Sequence, residues 1–383
     1  MPHPFGIYLH FPWCAHHCPY CDFAVTTAPQ PAPGRYARAL LAELALRAPA
    51  LDGLEARSLY VGGGTPSLWA PAEVAEVLAA VRARVRLPAD AEVTFEVNPE
   101  SCDRERLAAW RSAGVNRISV GVQSFDPGVL VKLGRRHGPE EAERAIRDAA
   151  AVVGNVSVDL IFGARRSTVE TARRDAERAV AAGAVHVSAY ALTLDPEVMA
   201  EEVPLARLRR QGRLPLPTEE ETLAQARALR AALRRGGLRR YEISNFARPG
   251  RASSHNALYW AGEAYLGLGA GAYGFVPSAS GEGGGLRYGN VRGVDPYLAA
   301  VEAGRLPSAE EDPVSPAQAR GERVMLGLRT TAGVPLAALP PGAAREVDAL
   351  VRARLAARRG GRLALTSRGM DLHTSVAARL SGL

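Results

Sequence analysis

Three of the four cysteines fall within eight residues, as Cys14-Ala-His-His-Cys18-Pro-Tyr-Cys21. In so long a chain this is a poor disulfide framework, and it reads as metal ligation in a reducing compartment. Two inorganic centres suit three thiolates on one loop. A structural zinc ion would take His16 or His17 as its fourth ligand. An iron–sulfur cluster, commonly held by four cysteines, would keep one iron without a protein ligand and open to a small molecule. Cys102 is distant and follows a different strand.

Other polar residues recur at the ends of short apolar runs: Gly62-Gly63-Gly64-Thr65-Pro66, Glu96, Gln123 with Ser124, Asp159 and Tyr190. Each alone has an ordinary reading. The glycine run lacks the Gly-Lys-Ser/Thr of a P-loop, and a Gln or Asp on a strand is usually a satisfied core hydrogen bond. Their common position is what marks them, because barrel enzymes place their chemistry at the carboxyl ends of the strands.

The elements that would position them alternate β-branched runs with amphipathic Ala/Leu/Arg/Glu stretches, the pattern of βα units on a parallel sheet. Six units are expected. The strands are Gly6 to Phe11, Ser58 to Gly62, Glu92 to Val97, Arg117 to Val122, Val156 to Ile161 and His186 to Leu192. The helices are Tyr36 to Ala48, Pro71 to Arg86, Asp103 to Ala113, Pro139 to Val153, Thr168 to Ala182 and Glu219 to Arg235. Pro71 at a first turn, Thr218 ahead of three glutamates, and Gly114 and Gly183 past helix ends support these limits. From about Tyr241 the sequence turns aromatic and glycine-rich, with a loop or linker over Ser278 to Gly285. Beyond Ser308, helices, a short strand and a last helix from Thr366 suggest a small winged-helix-like domain. The expected organisation is a barrel over 1–240, a connecting segment over 241–307 and a terminal domain over 308–383 that covers the open side of the barrel.

The CxxxCxxC spacing with an aromatic in Cys21-Asp-Phe23 resembles the radical-SAM superfamily. That likeness implies a partial (β/α)6 TIM-like barrel and a [4Fe-4S] cluster on Cys14, Cys18 and Cys21. S-adenosyl-L-methionine would chelate the open iron and be cleaved on reduction to a 5′-deoxyadenosyl radical. It also implies roles: Gly63, Gly64 and Thr65 near the methionyl amino group, Glu96 and Asp159 on ribose hydroxyls, and Gln123 with Arg135 on carboxylate and ribose. Further segments, Tyr8-Leu-His10-Phe-Pro12, Glu96-Val-Asn98-Pro99, Ser119-Val-Gly121-Val-Gln123-Ser124 and Asp159-Leu-Ile-Phe-Gly163, resemble proteins similar to oxygen-independent coproporphyrinogen III oxidase. By that likeness Tyr8, Tyr20 and Ala191 join the S-adenosylmethionine site. The oxidase pattern has a fourth cysteine where Phe23 stands.

The segment Ser254-His255-Asn256-Ala-Leu-Tyr259-Trp260, with Gly267-Leu-Gly-Ala-Gly-Ala272, instead looks like the HemW-type heme chaperone family. The resemblance implies a heme-binding protein that hands heme to apo-hemoproteins such as respiratory cytochromes. His255 would hold the heme and arginines such as Arg248 and Arg251 would pair with its propionates. A histidine beside Asn and two aromatics is equally read as a core hydrogen-bonding residue. Asp195-Pro-Glu197-Val and Tyr273 depart from the relatives' usual residues. The competing function is a radical enzyme: the oxidase, or a relative that methylates or rearranges heterocycles. Self-association into a homo-oligomer stays open.

Lys and Arg number 47 against 40 Asp and Glu, a formal charge of +7. Nearly all the cations are Arg spread over Ala-rich helices, and Lys132 is the single lysine. This reads as solvated helix faces and coding bias rather than nucleic-acid recognition. With no signal peptide and no run of about 18 apolar residues, a cytoplasmic protein that is not integral to a membrane is expected.

Overall fold

The computed structural model describes residues 3–381 except 52, 53, 196, 198, 201 and 279–282. In chain order the first part runs β1 (His3–Phe11), α1 (Arg35–Arg47), β2 (Leu54–Gly63), α2 (Pro71–Arg84), β3 (Glu92–Val97), α3 (Arg104–Ser112), β4 (Arg117–Gln123), α4 (Pro127–Lys132), α5 (Pro139–Val152), β5 (Val156–Phe162), α6 (Val169–Ala182), β6 (His186–Ala191), α7 (Pro204–Arg210) and α8 (Glu219–Arg235). Strands β1 to β6 pair in sequence order and in parallel. All six expected strands and six expected helices are present, and α4 and α7 are additions.

Local chemistry explains the limits. Asp103 accepts from the Arg106 amide at the start of α3, and Thr168 and Thr218 form reciprocal capping boxes with Thr171 and Glu221. Each satisfies amides that a first helical turn leaves without carbonyl partners. Gly183 ends α6 at φ 115°, a conformation that a β-carbon would strain. Strand β5, Val-Ser-Val-Asp-Leu-Ile-Phe, is buried or half-buried at every position, as a sheet covered by helices requires. Phe5, Ile7, Leu9, Val61, Phe95, Val120 and Val158 form the centre of the core.

The expected connecting segment is instead the far wing of the same sheet. After β7 (Arg239–Arg240), β8 (Asn245–Ala247) and α9 (Ser254–Ala261), strand β9 (Ala264–Leu268) adds in parallel to the free edge of β1. Then β10 (Tyr273–Pro277), β11 (Gly285–Asn290), α10 (Val294–Glu302) and β12 (Ser308–Val314) extend it, the strands antiparallel. Among the described residues the order is β12-β11-β10-β9-β1-β2-β3-β4-β5-β6-β8-β7, an open sheet of twelve strands. The expected boundary at 308 therefore falls at the first residue of a sheet strand. The expected loop over Ser278 to Gly285 is the β10–β11 connection, and four of its residues lie outside the described ones.

Residues 316–381 form a separate small unit: α11 (Pro316–Leu328), β13 (Val334–Pro335), α12 (Ala344–Arg352), β14 (Ala356–Arg359), β15 (Arg362–Leu365), α13 (Ser367–Asp371) and α14 (His373–Ser381). Helices plus a three-stranded sheet in the order β13-β15-β14 give the expected winged-helix-like shape. Its own core comprises Val324, Leu328, Val347, Leu350, Leu363 and Val376, with Ile243 of the barrel side packed against it. Buried Glu242 fastens the unit through Arg329 at 3.0 Å, and Arg230 of α8 pairs with Asp371.

Candidate functional site: a cysteine-lined cavity at the strand carboxyl ends

Because β1 to β6 are parallel, their carboxyl ends open on one mouth, and the loop after β1 lies across it. Cys14 Nα donates to Thr26 O at 2.9 Å, which ties the loop's two arms together. The three thiols line a cavity of about 550 Å³ together with Tyr20, Gly63, Gly64, Thr65, Glu96, Gln123, Arg135, Asp159 and Ala191. Nine of the ten residues expected to contact S-adenosylmethionine are thus brought to one space.

Tyr8 is the exception. It is half-buried, giving its hydroxyl to His10 Nδ1 at 3.1 Å and stacking its ring on Tyr60. Its register partner Tyr60, three residues before the end of β2, does line the cavity.

The cysteines are free. Burial raises the Cys14 thiol despite a Thr65 hydroxyl 3.5 Å from its sulfur, and pushes Cys21 up to about 11. Arg135 stands 3.6 Å from the Cys18 sulfur and gives Nη2–H to Asn98 Oδ1 and Gly121 O, while its Nε is buried without a partner. A fixed guanidinium beside a thiol and an open N–H suit an anionic cluster and a carboxylate ligand.

His16 and His17 each give Nε2–H to a backbone carbonyl, Gly134 at 2.9 Å and Cys21 at 3.0 Å. Among the described residues no three His, Cys, Asp or Glu side chains converge on a single-ion position. Three free thiols on one loop are donors of the kind an iron–sulfur cluster takes. Cys102 is buried in the sheet core and does not reach the cavity, whereas Phe23 lines its mouth and is 65 % exposed.

The backbone is shaped for close approach. Gly63 takes φ 115°, and a β-carbon on Gly64 would lie 2.6 Å from the Trp13 carbonyl oxygen. Gln123, at the end of β4, adopts φ 66°, where a non-glycine residue is strained, next to an irregularity in the β4–β5 register. Such strain recurs where a side chain must be held out to a ligand.

Below them runs a polar layer. Tyr60 donates to Glu96 at 2.6 Å, and Ser119 donates to Asp159 at 3.2 Å. Burial pushes Glu96 up to about 7, opposed by the Tyr60 hydroxyl and reinforced by Asp159. Burial raises Asp159 to about 6. Both are acceptors for hydroxyls when ionised. Tyr60, Asn98 and Ser119 had no role in the sequence reading, although strand alternation with Glu96 and Asp159 places them on the lumen side.

His255 lies elsewhere. Helix α9 is capped by Glu92, the first residue of β3, whose carboxylate accepts from the Ser254 and His255 amides. The imidazole is 2 % exposed, packs against Gly6, and bonds Ser58 at 2.8 Å through Nδ1 and Tyr259 at 3.0 Å through Nε2. Burial lowers it to about 3. With both nitrogens engaged, the ring stands in this structure as a hydrogen-bonded core histidine, the alternative reading of the motif, and turns no free nitrogen toward a heme. Its neighbours Ser253 and Asn256 do line the cysteine cavity.

An open parallel barrel with three clustered cysteines at its mouth defines a radical-SAM protein, and the Radical SAM superfamily model matches residues 8–179. The fold is shared with coproporphyrinogen III oxidase HemN of Escherichia coli at a TM-score of 0.80 and 20 % identity, over 99 % of this chain and 90 % of that one. The chain belongs to the HemW heme chaperone family. It is 38 % identical over 383 residues to heme chaperone HemW of Mycobacterium tuberculosis, covering 99 % of this chain and 95 % of that protein. It is 31 % identical to heme chaperone HemW of Bacillus subtilis, covering 90 % and 88 %. Among the described residues no helix is long and apolar enough to cross a membrane.

Proposed function

We propose that this protein is a cytoplasmic heme carrier that binds heme and delivers it to apo-hemoproteins such as respiratory cytochromes, on a retained radical-SAM core. The observation that carries the reading is the likeness to HemW proteins over nearly the whole chain, the terminal unit included. Phe23 in place of a fourth cysteine supports it against a decarboxylating oxidase.

In this reading Cys14, Cys18 and Cys21 hold a [4Fe-4S] cluster, whose fourth iron would accept the amino and carboxylate groups of S-adenosylmethionine. Gly63, Gly64 and Thr65 give backbone access to the amino group. Arg135 and Gln123 meet carboxylate and ribose, Glu96 and Asp159 accept from ribose hydroxyls, and Tyr20 and Ala191 close the walls. Strained Gln123 and the fixed Arg135 preorganise the space, so ligand binding need not order them.

Anaerobic cluster reconstitution followed by heme titration, read from the Soret band, with coproporphyrinogen turnover assayed in the same samples, tests the proposal. Saturable heme binding without turnover is expected. Turnover insensitive to added heme would overturn the carrier reading in favour of a radical enzyme.

A further inference from the structure

Both His255 nitrogens are engaged within the core, and an apolar, arginine-lined space lies elsewhere on the molecule. A groove of about 820 Å³ runs between α8, the β6–β8 edge of the sheet and the terminal unit. Ligand and cofactor sites fall in the range of about 300–1,000 Å³. Its floor is apolar, from Phe162, Leu223, Ala226, Leu229 and Phe246. Three guanidiniums, Arg209, Arg230 and Arg240, line it with two carboxylates, Glu219 and Asp371. Arg230 already pairs with Asp371.

Arg240 is different: Nε and Nη2 donate to the Ile243 carbonyl at 3.1 and 2.8 Å, but buried Nη1 has no hydrogen-bond partner. Its nearest carboxylate oxygen, on Asp371, is 3.9 Å away. A buried N–H left unmade costs free energy that a ligand acceptor would recover. The groove also meets the cysteine cavity, since Tyr190, Ala191, Leu192 and Thr193 line both.

We propose that this groove is the heme seat, with the macrocycle against the α8 and β6–β8 wall and the propionates on Arg240 and Arg209. A flat apolar ring with two carboxylates matches an apolar slot that has guanidiniums at its rim, where planar forks bind carboxylates in pairs. The assignment rests on the heme-carrier reading. It also gives the terminal unit a function, because Met370 and Asp371 supply one wall. Occupancy of the two neighbouring spaces would then be coupled through the end of β6.

The test uses full-length, cluster-reconstituted protein titrated with heme and with heme dimethyl ester, which lacks free carboxylates. Ala226→Trp, which fills the slot from α8, should weaken heme binding about tenfold or more while S-adenosylmethionine affinity and iron content stay at wild-type values. Arg240→Gln should erase most of the preference of the wild type for heme over the ester. Arg209→Gln should do the same in part, and among the described residues it removes one side-chain bond, to the Leu194 carbonyl. Ala226→Trp binding heme as the wild type does, or both arginine variants keeping the full preference, would overturn the groove assignment alone. Wild-type protein that binds no heme would instead sink the carrier reading on which it rests.

Discussion

The Glu96 and Asp159 carboxyls lining the cysteine cavity should make S-adenosylmethionine affinity a function of pH. Glu96 titrates near 7 and Asp159 near 6 because burial disfavours their charged forms. S-adenosylmethionine carries a sulfonium, an ammonium and ribose hydroxyls, all of which favour ionised carboxylates, so binding must pull protons off both. Affinity therefore rises with pH and levels off above 7. If only ionised Glu96 binds, the population at pH 5.5 is about 3 %, and affinity there should be about 30-fold below that at pH 8. Calorimetric titration of reconstituted protein between pH 5.5 and 8.5 measures this. Glu96→Gln should remove the midpoint near 7 and leave a shallower dependence centred near 6 from Asp159. An unchanged midpoint in that variant, or affinity that falls as pH rises, would refute the assignment of Glu96 to the ligand.

Gly64→Ala places a β-carbon 2.6 Å from the Trp13 carbonyl, one residue before Cys14. It should cost about 1–3 kcal/mol and lower iron and sulfide content after reconstitution; wild-type content and Tm would contradict this. His255→Ala leaves Ser58 and Tyr259 unpaired in the core and should cost roughly 2–4 kcal/mol, seen in urea unfolding. Heme affinity per folded molecule should be unaltered, and its selective loss would restore a ligand role. The buried His255 and His10, lowered to about 3 and 4, are neutral in the fold but protonate near 6.5 once unfolded. Their contribution is complete above 6.5 and is lost as pH falls toward 4, so the urea midpoint should drop over that window, less steeply in His255→Gln. Glu242→Gln breaks the charge pairing with Arg329 and should speed proteolytic release of residues 316–381, with SDS gel bands as the readout.

The parallel strands were legible because each is a short β-branched run bounded by turn residues, and β3 has the expected limits of Glu92 and Val97. The helices were legible from their caps. Strands β9 to β12 were not, because their glycine, aromatic and acidic residues follow no period: β12 reads Ser-Ala-Glu-Glu-Asp-Pro-Val and sits at an exposed sheet edge, where charge and proline are tolerated. Only pairing with β1, fixed in three dimensions, makes that segment part of the barrel.

The same division runs through the site. Residue type and spacing singled out three cysteines and nine further residues that line one cavity, since the Cys14, Cys18 and Cys21 thiols share one loop and a parallel sheet sends every strand end to one mouth. Tertiary packing decided what spacing cannot encode: the Tyr8 hydroxyl is taken up by His10, Cys102 faces the core, and α9 turns His255 inward against Gly6 and Ser58. A motif names the residues on a helix, but which face that helix buries depends on the surface it meets. The groove lined by α8, β6–β8 and α13 exists only because segments nearly two hundred residues apart fold against each other.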